Sequence, residues 1–284
     1  MAAVTRLLTL FLFLPLGGCA GLRAPPTTGE ERIVSIDYCA DQAVLGLLPR
    51  VDITAVSQEA DSDPGYATPR AHGLPRIRPD AEAILALRPT LVVRSYAGGP
   101  RFDAAMARGG VPVVTLPYAA SLPEIGPTIS QMAKDLGAEA RGAALRADWD
   151  AALARAHAMP RTRLTALYTT PGDVTSGPDS LIMAMAAAAG LQPYFQRAGW
   201  HPLPVEELQF RAPDVVLRGF FDSPAYQQDR WSASRHKRTH AALNRATVAD
   251  IPGYALACGN WTAAAALNAM TGAAARAGAR GSPS

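Results

Sequence analysis

The chain has 284 residues, of which 49% are hydrophobic, and its formal net charge is +3. This length suffices for two domains of roughly 100 to 130 residues, each with its own core, and no membrane helix is needed to explain the composition. The small, dispersed charge gives no argument for nucleic-acid binding. The one local basic run, Arg235-His236-Lys237-Arg238, is interpreted as a solvated loop, with a cationic rim for an anionic ligand as the alternative.

The N-terminus has the pattern of a secretory signal. Arg6 is followed by the apolar residues 7–16, which are too few to span a bilayer as a mature helix. The sequence Leu16-Gly17-Gly18-Cys19 then resembles a bacterial lipobox, in which the cysteine is lipidated and becomes the new N-terminus after cleavage. We predict a signal peptide over residues 1–18, a lipidated Cys19 and a flexible tether over residues 19–31. The folded body would then lie in the periplasm, lipid-anchored to a membrane.

Strand and helix patterns alternate after the tether, which predicts a parallel α/β sheet. Short β-branched apolar runs indicate the strands, and longer runs with helical spacing indicate the helices. The predicted elements, in chain order, are a strand over 32–36, a loop over 37–41 leading into a helix, a strand over 53–57, a loop around the cleft over 59–78, a helix from 82, a strand over 91–94, a helix near 102–109, and a strand over 111–116 that ends at Tyr118. We assign residues 32–136 to an N-terminal α/β lobe.

A helical connection follows. Residues 121–158 carry no strand pattern, and residues 138–159 are alanine-rich with apolar residues near helical spacing, which predicts a helix of about 20 residues and 30 Å. Because Pro160 ends this pattern, we place the connecting helix at residues 137–159. Strand and helix patterns then resume and predict a C-terminal α/β lobe over residues 160–276, with a frayed tail over residues 277–284.

Two stretches of the chain repeat one another at an offset of 124 residues. Residues 82–96 and 206–220 each begin with glutamate in a short helix, continue through a proline turn and end in a buried apolar strand. Ligands bind beyond the carboxyl ends of strands in open α/β sheets, so the strand ends predict two lips of a cleft. The lip residues are Arg94 and Tyr96 in one lobe, and Arg218 and Phe220 in the other. The alternative is a chance match between two ordinary α/β modules.

This order of elements resembles the substrate-binding proteins of ABC importers for cobalamin, ferric siderophores and haem. The resemblance covers residues 32–275, and its marks are Arg32-Ile-Val-Ser-Ile, Ala81-Glu-Ala-Ile-Leu-Ala-Leu-Arg-Pro89, Gly110-Val-Pro-Val-Val, Pro204-Val-Glu-Glu-Leu, and Cys39-Ala-Asp-Gln together with Cys258-Gly-Asn-Trp-Thr-Ala. It implies an α/β fold with two Rossmann-like lobes, each with a parallel sheet, joined by a single long α-helix, which is the class III arrangement of periplasmic binding proteins.

The resemblance also implies a docking role for Glu82 and Glu206. In that family one glutamate on each lobe pairs with arginines of the membrane permease, and these two residues occupy the matching places. Exposed rim charges guide docking more than they add affinity. Two alternatives stay open: first-turn glutamates also complement a helix dipole, and the neighbouring Glu207 could make the contact instead.

The predicted ligand is a metal chelate, either a ferric siderophore or cobalamin, and its identity stays open. Arg94 and Arg218 could grip carboxylates or the oxygen-rich face of a ferric chelate. The aromatic residues that would form apolar walls are Tyr38, Tyr96, Tyr118, Phe220 and Trp261. A haem carrier is the alternative, with Tyr96 or Tyr118 binding the iron through its phenolate.

Two cysteines remain once Cys19 is assigned to lipidation. Cys39 and Cys258 form an even pair in an oxidising compartment, so we expect a disulfide. Two buried free thiols, or soft metal ligands, are the alternatives. We predict no metal site and no cofactor in the protein itself.

Catalysis is not predicted. Ser234-Arg-His-Lys237 matches the S-x-x-K pattern of penicillin-interacting enzymes, but no K-T-G or S-D-N partner follows it. The rival classes are therefore an exported serine hydrolase and a lipoprotein that only tethers or senses a partner.

Overall fold

The structure is a computed structural model, and it describes residues 31–62, 65–223 and 232–281. The predicted signal peptide, the lipidation site Cys19 and nearly all of the predicted tether lie outside the described residues. Within these ranges, none of the helices has the length and hydrophobicity needed to cross a membrane.

The N-terminal lobe is built on a five-stranded parallel sheet with the strand order β3-β2-β1-β4-β5. Its elements are β1 (Ile33–Ser35), α1 (Tyr38–Leu47), β2 (Ile53–Ser57), α2 (Ala67–Arg70), β3 (Arg76–Ile77), α3 (Ala81–Ala86), β4 (Leu91–Arg94), α4 (Pro100–Arg108) and β5 (Val113–Thr115). The central strands β1 and β4 pair with Val34 opposite Val92, and both valines are fully buried. Such apolar strands need helices on both faces of the sheet, which the crossover connections supply.

One long helix connects the lobes, and a shorter helix of the N-terminal lobe packs against it. Helix α5 (Ile125–Asp135) packs against α6 (Glu139–His157), which lies where the sequence predicts the connecting helix. The packing is close because Gly142 has no side chain: a Cβ there would lie 2.1 Å from the Cβ of Ala133. Trp149, in the middle of α6, is buried. The connection is therefore a packed part of the molecule.

The C-terminal lobe has a four-stranded parallel sheet with the order β11-β10-β6-β8 and a separate antiparallel pair, β7 and β9. Its elements are β6 (Thr165–Thr169), β7 (Val174–Ser176), α7 (Leu181–Ala188), β8 (Gln192–Pro193), β9 (Trp200–Pro202), α8 (Val205–Phe210), β10 (Val215–Gly219), α9 (Lys237–Arg245), β11 (Thr247–Ile251), α10 (Tyr254–Ala257) and α11 (Ala263–Gly281). The repeat predicted from the sequence corresponds to α3 with β4 and to α8 with β10.

The hydrophobic core is not divided as the sequence predicts. We expected each lobe to have its own core, but the largest cluster of buried residues runs from α1 of the N-terminal lobe through α6 to α11 of the C-terminal lobe. Two smaller clusters lie under α3 and α4 in one lobe and under α8 and α9 in the other. The shared core arises because the connecting helices and α11 cover apolar surface of both lobes at once.

Three local predictions are corrected by the structure. The basic run is not only loop, because Lys237 and Arg238 begin α9, whose buried Thr239 and Ala242 anchor the helix. The predicted loop over residues 59–78 contains α2 and β3. Helix α11 continues to Gly281, so residues 277–281 are helical and not a frayed tail.

Asp41 is a fully buried carboxyl group on α1. It accepts hydrogen bonds from the Ser35 and Ser57 hydroxyls and from the Ser57 backbone N–H. These bonds favour the carboxylate, but burial outweighs them, and the nearby charge of Asp37 acts in the same direction as burial. The pKa of Asp41 is raised from 3.8 to about 6.

Asp41 therefore makes stability depend on pH. Since the folded-state pKa lies above the unfolded value, the folded protein binds this proton more tightly, and the resulting stability is present below pH 3.8 and lost as the pH rises through about 6. We expect Asp41→Asn to remove this dependence, which amounts to roughly 3 kcal/mol in the free energy of unfolding. Urea unfolding of both proteins between about pH 4 and pH 7 measures it. Parallel pH profiles for the two proteins would contradict the assignment.

Candidate functional site

The carboxyl ends of the two parallel sheets meet at the junction between the lobes. Cys39, in the first turn of α1 after β1, is joined by a disulfide to Cys258, which follows β11 and α10 in the other lobe. One turn further along α1, Gln42 donates to the Tyr254 carbonyl oxygen at 3.1 Å and accepts from Asn260 Nδ2 at 3.0 Å. These contacts lie just beyond the strand ends of both sheets, where open α/β folds bind their ligands, and we refer to this region as the cleft.

The predicted pairing of Cys39 with Cys258 is present, and neither cysteine is a free thiol or a metal ligand here. The next residue, Gly259, has φ +54, and a Cβ there would lie 2.5 Å from the Ala119 carbonyl oxygen. Only glycine fits this contact between the lobes without displacing backbone.

Trp261 lies at the same junction. It was predicted as a ligand wall, but it is only 6% exposed and its indole N–H donates to Tyr66 Oη at 3.2 Å. The ring packs where Gly46 has no side chain, since a Cβ at Gly46 would lie 2.4 Å from it. So little of Trp261 is accessible that its role is to hold α1 against the C-terminal lobe.

Four neighbouring strands of the N-terminal lobe each place a residue at the cleft edge. Glu59 follows β2, and Tyr38 follows β1. Tyr96 follows β4, and Tyr118 follows β5. Tyr96 donates its hydroxyl to Glu59 Oε2, which also accepts the Tyr38 backbone N–H at 2.9 Å. Tyr96 is 62% exposed and Tyr118 is 57% exposed. The edge therefore presents three phenol rings and one carboxylate, and Glu59 was not predicted from the sequence.

Asp37 positions the loop that carries Tyr96. One carboxylate oxygen of this fully buried residue caps α1 by accepting from the Ala40 N–H at 2.9 Å. The other oxygen accepts from the backbone N–H groups of Ser95, Tyr96 and Ala97 at 2.6, 3.0 and 3.2 Å. Asp37 thus ties the loop after β1 to the loop after β4. The sequence contained the signal for the cap, an aspartate between a strand and a helix, but not for the loop contacts.

Both predicted lip arginines are already paired with carboxylates. Arg94 bonds Asp103 at 2.6 Å and also donates to Thr115 Oγ1 at 2.9 Å. Arg218 bonds Asp250 of the adjacent strand at 2.5 Å. A guanidinium has five N–H donors, so each arginine retains donors for a ligand. Their charges are largely compensated, however, which makes the cleft less cationic than the sequence suggests.

Aromatic residues also lie on the C-terminal side of the cleft. Phe220 follows β10 with φ +64, a backbone conformation that is strained for a bulky residue and is found mostly where function requires it. The guanidinium of Arg218 lies 5.3 Å from the ring centre of Phe221. A pocket of about 260 Å³ is lined by Arg218, Phe221, Asp222, Asp250, Ile251 and Pro252.

Trp200 is a further aromatic residue that sequence reasoning missed. It is 59% exposed, and its ring packs edge-on against Tyr168, near the carboxyl end of β6, at 6.0 Å. No periodic pattern marks it, because the short β7–β9 pair that places it is antiparallel and lies outside the main sheet.

The protonation of Tyr96 bears on iron binding. Burial around the phenol and the neighbouring Glu59 carboxylate both raise the pKa of Tyr96 above its ordinary value. A phenolate at this position is therefore disfavoured in the ligand-free protein.

Among the described residues, no three His, Cys, Asp or Glu side chains are grouped so that they could hold a metal ion.

Glu82 and Glu206 occupy equivalent, exposed positions in the first turns of α3 and α8. Helix α3 connects the carboxyl end of β3 to the amino end of β4, so its first turn lies at the sheet edge that borders the cleft. The adjacent Glu207 is also exposed.

A sequence profile of the periplasmic binding protein family matches residues 33–228 of the chain. No curated protein sequence matches the chain.

Three solved structures with this fold are described as haem-binding or vitamin B12-binding proteins. The periplasmic heme-binding protein RhuT from Roseiflexus sp. RS-1, in apo form, is 24% identical with a TM-score of 0.63, covering 87% of this chain and 100% of its own. The periplasmic heme-binding protein HutB of Vibrio cholerae is 20% identical with a TM-score of 0.65, covering 84% and 96%. The periplasmic vitamin B12-binding protein BtuF of Vibrio cholerae is 16% identical with a TM-score of 0.58, covering 87% of this chain and 98% of its own. The shared fold confirms the predicted class III arrangement of two parallel-sheet α/β lobes.

Proposed function

This chain belongs to the periplasmic binding protein family, and on that premise we propose that it is the substrate-binding lipoprotein of an ABC importer. It captures a metal chelate, a ferric siderophore or a corrinoid, between its lobes and delivers it to an inner-membrane permease. The observation that carries this proposal is the pair of exposed tyrosines, Tyr96 and Tyr118, beyond the carboxyl end of one parallel sheet, together with the exposed Trp200 near the carboxyl end of the other.

The lip chemistry suits a large, weakly charged ligand. Phenol and indole rings supply flat apolar contacts together with hydrogen-bonding groups. The ion pairs of Arg94 with Asp103 and of Arg218 with Asp250 leave little net positive charge for a small anion. We assign Tyr38, Tyr96, Tyr118, Phe220 and Trp200 to the apolar walls.

A haem carrier is the second candidate, since the solved structures with this fold include haem-binding proteins. In such a carrier a tyrosine phenolate would hold the iron. The raised pKa of Tyr96 argues against that residue. Tyr118 is the remaining candidate of the two, and its side chain is 57% exposed.

We propose that the protein does not act as an enzyme. The serine of the S-x-x-K match, Ser234, is only 5% exposed, and its backbone N–H is held by Asp173 at 3.1 Å. A nucleophile must reach its substrate, so this burial disfavours the serine-hydrolase alternative. We further propose that the mature chain is lipidated at Cys19 and anchored to a membrane on its periplasmic side.

Ligand titration tests the function directly. Folded protein would be titrated with hemin, cyanocobalamin and ferrichrome, with tryptophan fluorescence and absorption spectra as readouts. We expect saturable binding of one of the three and recovery of that compound unchanged. Chemical conversion of a bound compound would favour an enzyme, and failure of all three would favour a tethering or sensing role.

The lip arginines should contribute to this binding. We expect Arg94→Ala and Arg218→Ala each to weaken binding of the compound selected above by about 1.5 to 3 kcal/mol, as for loss of a charged hydrogen bond. Arg108→Ala, on the exposed last turn of α4, is the matched control. Calorimetric titration measures the difference. Unchanged affinity in both lip variants would mean that other residues bind the ligand.

A further inference from the structure

Phe210 is 91% exposed, more than any other large hydrophobic side chain in the described ranges. It is the last residue of α8, the helix that begins with the proposed docking glutamates. A single exposed apolar residue is ordinary on a protein surface. Phe210 differs because it lies on the same short helix as a proposed docking glutamate, where an aromatic ring can bury a large area against a partner.

The geometry of α8 places Phe210 on the same face as Glu206. The two residues are four apart, so their side chains lie about 40° apart around the helix axis. Leu208, two residues from each and about 200° around the axis, is buried in the C-terminal lobe. Glu206 and Phe210 thus project directly away from the lobe, as one outward face with a charge and an aromatic ring.

The N-terminal lobe has the same face without the aromatic ring. In α3 the buried residue is Ile84, and the outward residues are Glu82 and Ala86, at the positions that the repeat aligns with Glu206 and Phe210. The two docking faces therefore share their charge and differ in apolar surface.

We propose that Phe210 is an apolar anchor for the permease, inserted beside the contact of Glu206. This inference rests on the proposed function and adds a second kind of contact to it. The partner surface would carry a basic group for Glu206 and, about one helical turn away, an apolar recess for the ring. Buried aromatic anchors dominate the energy of protein interfaces, whereas rim charges mainly guide approach and register.

Site-specific photo-crosslinking in cells tests the anchor. The full-length chain would carry benzoyl-phenylalanine in place of Phe210, or, as a control, in place of the exposed Val51, which precedes β2 in the N-terminal lobe. Cross-linked partners would be identified by mass spectrometry. We expect a multi-span ABC permease subunit from position 210 and not from position 51.

Binding is then measured by recovery of that permease with affinity-tagged protein from detergent-solubilised membranes. We expect Phe210→Ala to lower recovery by about tenfold or more, Phe210→Trp to retain it, and Val51→Ala to leave it unchanged. The thermal unfolding midpoint should not change in any of these variants, since Phe210 makes little contact with its own lobe.

The outcomes separate the anchor from the proposed function. If Glu82→Lys/Glu206→Lys abolishes recovery of the permease but Phe210→Ala does not, the proposed role of Phe210 is wrong and the docking function stands. If no variant affects recovery and no permease is cross-linked, both are wrong. Cross-links from position 210 to a second copy of the chain, or to another part of the same chain, would overturn the anchor in favour of that occupant.

Discussion

Reversing both docking charges is expected to abolish uptake while ligand affinity stays nearly unchanged. Glu82 and Glu206 are exposed at matching positions of the two lobes, and the junction holds the lobes together by a disulfide and a shared core. Docking must therefore recognise a nearly constant spacing between the two carboxylates. In Glu82→Lys/Glu206→Lys, each new lysine faces a basic group of the permease. Such opposed like charges cost several kcal/mol at an interface. Cellular uptake of the compound selected by titration measures the effect, and calorimetry measures ligand affinity.

The control for this experiment is Glu139→Lys. Glu139 is an exposed glutamate in the first turn of α6, so the variant loses the same favourable interaction with a helix dipole without touching a docking face. Uptake should be normal in this control. Normal uptake in the double variant would reduce Glu82 and Glu206 to helix-terminal charges, and loss of ligand binding instead of uptake would place them in the cleft.

Removing the disulfide is expected to destabilise the protein by roughly 2 to 5 kcal/mol. Cys39 and Cys258 are 219 residues apart in sequence, so the bond closes a loop that spans almost the whole described chain. It also joins the lobes directly below the cleft, next to the buried bonds of Gln42 with Asn260 and Tyr254. We therefore expect Cys39→Ser/Cys258→Ser to lower both the free energy of unfolding and ligand affinity.

The double serine variant avoids leaving one reactive thiol, and wild type treated with reductant should match it. Denaturant unfolding measures the stability, and mass spectrometry under non-reducing conditions checks the bond in wild type. Two freely alkylated thiols in folded wild type would rule out the cross-link. An unchanged free energy of unfolding would mean that the junction contacts alone hold the lobes.

The strand ends of the cleft were predictable from local sequence. A short β-branched run after a proline marks a buried parallel strand, and whatever follows such a strand lies at the carboxyl edge of the sheet. This rule places Arg94, Tyr96, Arg218 and Phe220 without knowledge of the remaining fold. The cysteine pairing followed from the compartment alone, since Cys39 and Cys258 were the only two left after the lipobox cysteine. The β7–β9 pair was missed because its strands are short and lie outside the main sheet.

The sequence by itself determined the alternation of strands and helices, the connecting helix, the repeat and the family, because these depend on patterns within a few turns of chain. Only the tertiary structure decided which side chains are free to act. Trp261 is buried because α1 packs on it, and Arg94 is neutralised because α4 brings Asp103 to it. Phe210 is exposed because Leu208 packs into the lobe from the opposite face of the same short helix. Exposure and pairing depend on residues far apart in sequence, and no local pattern specifies those contacts.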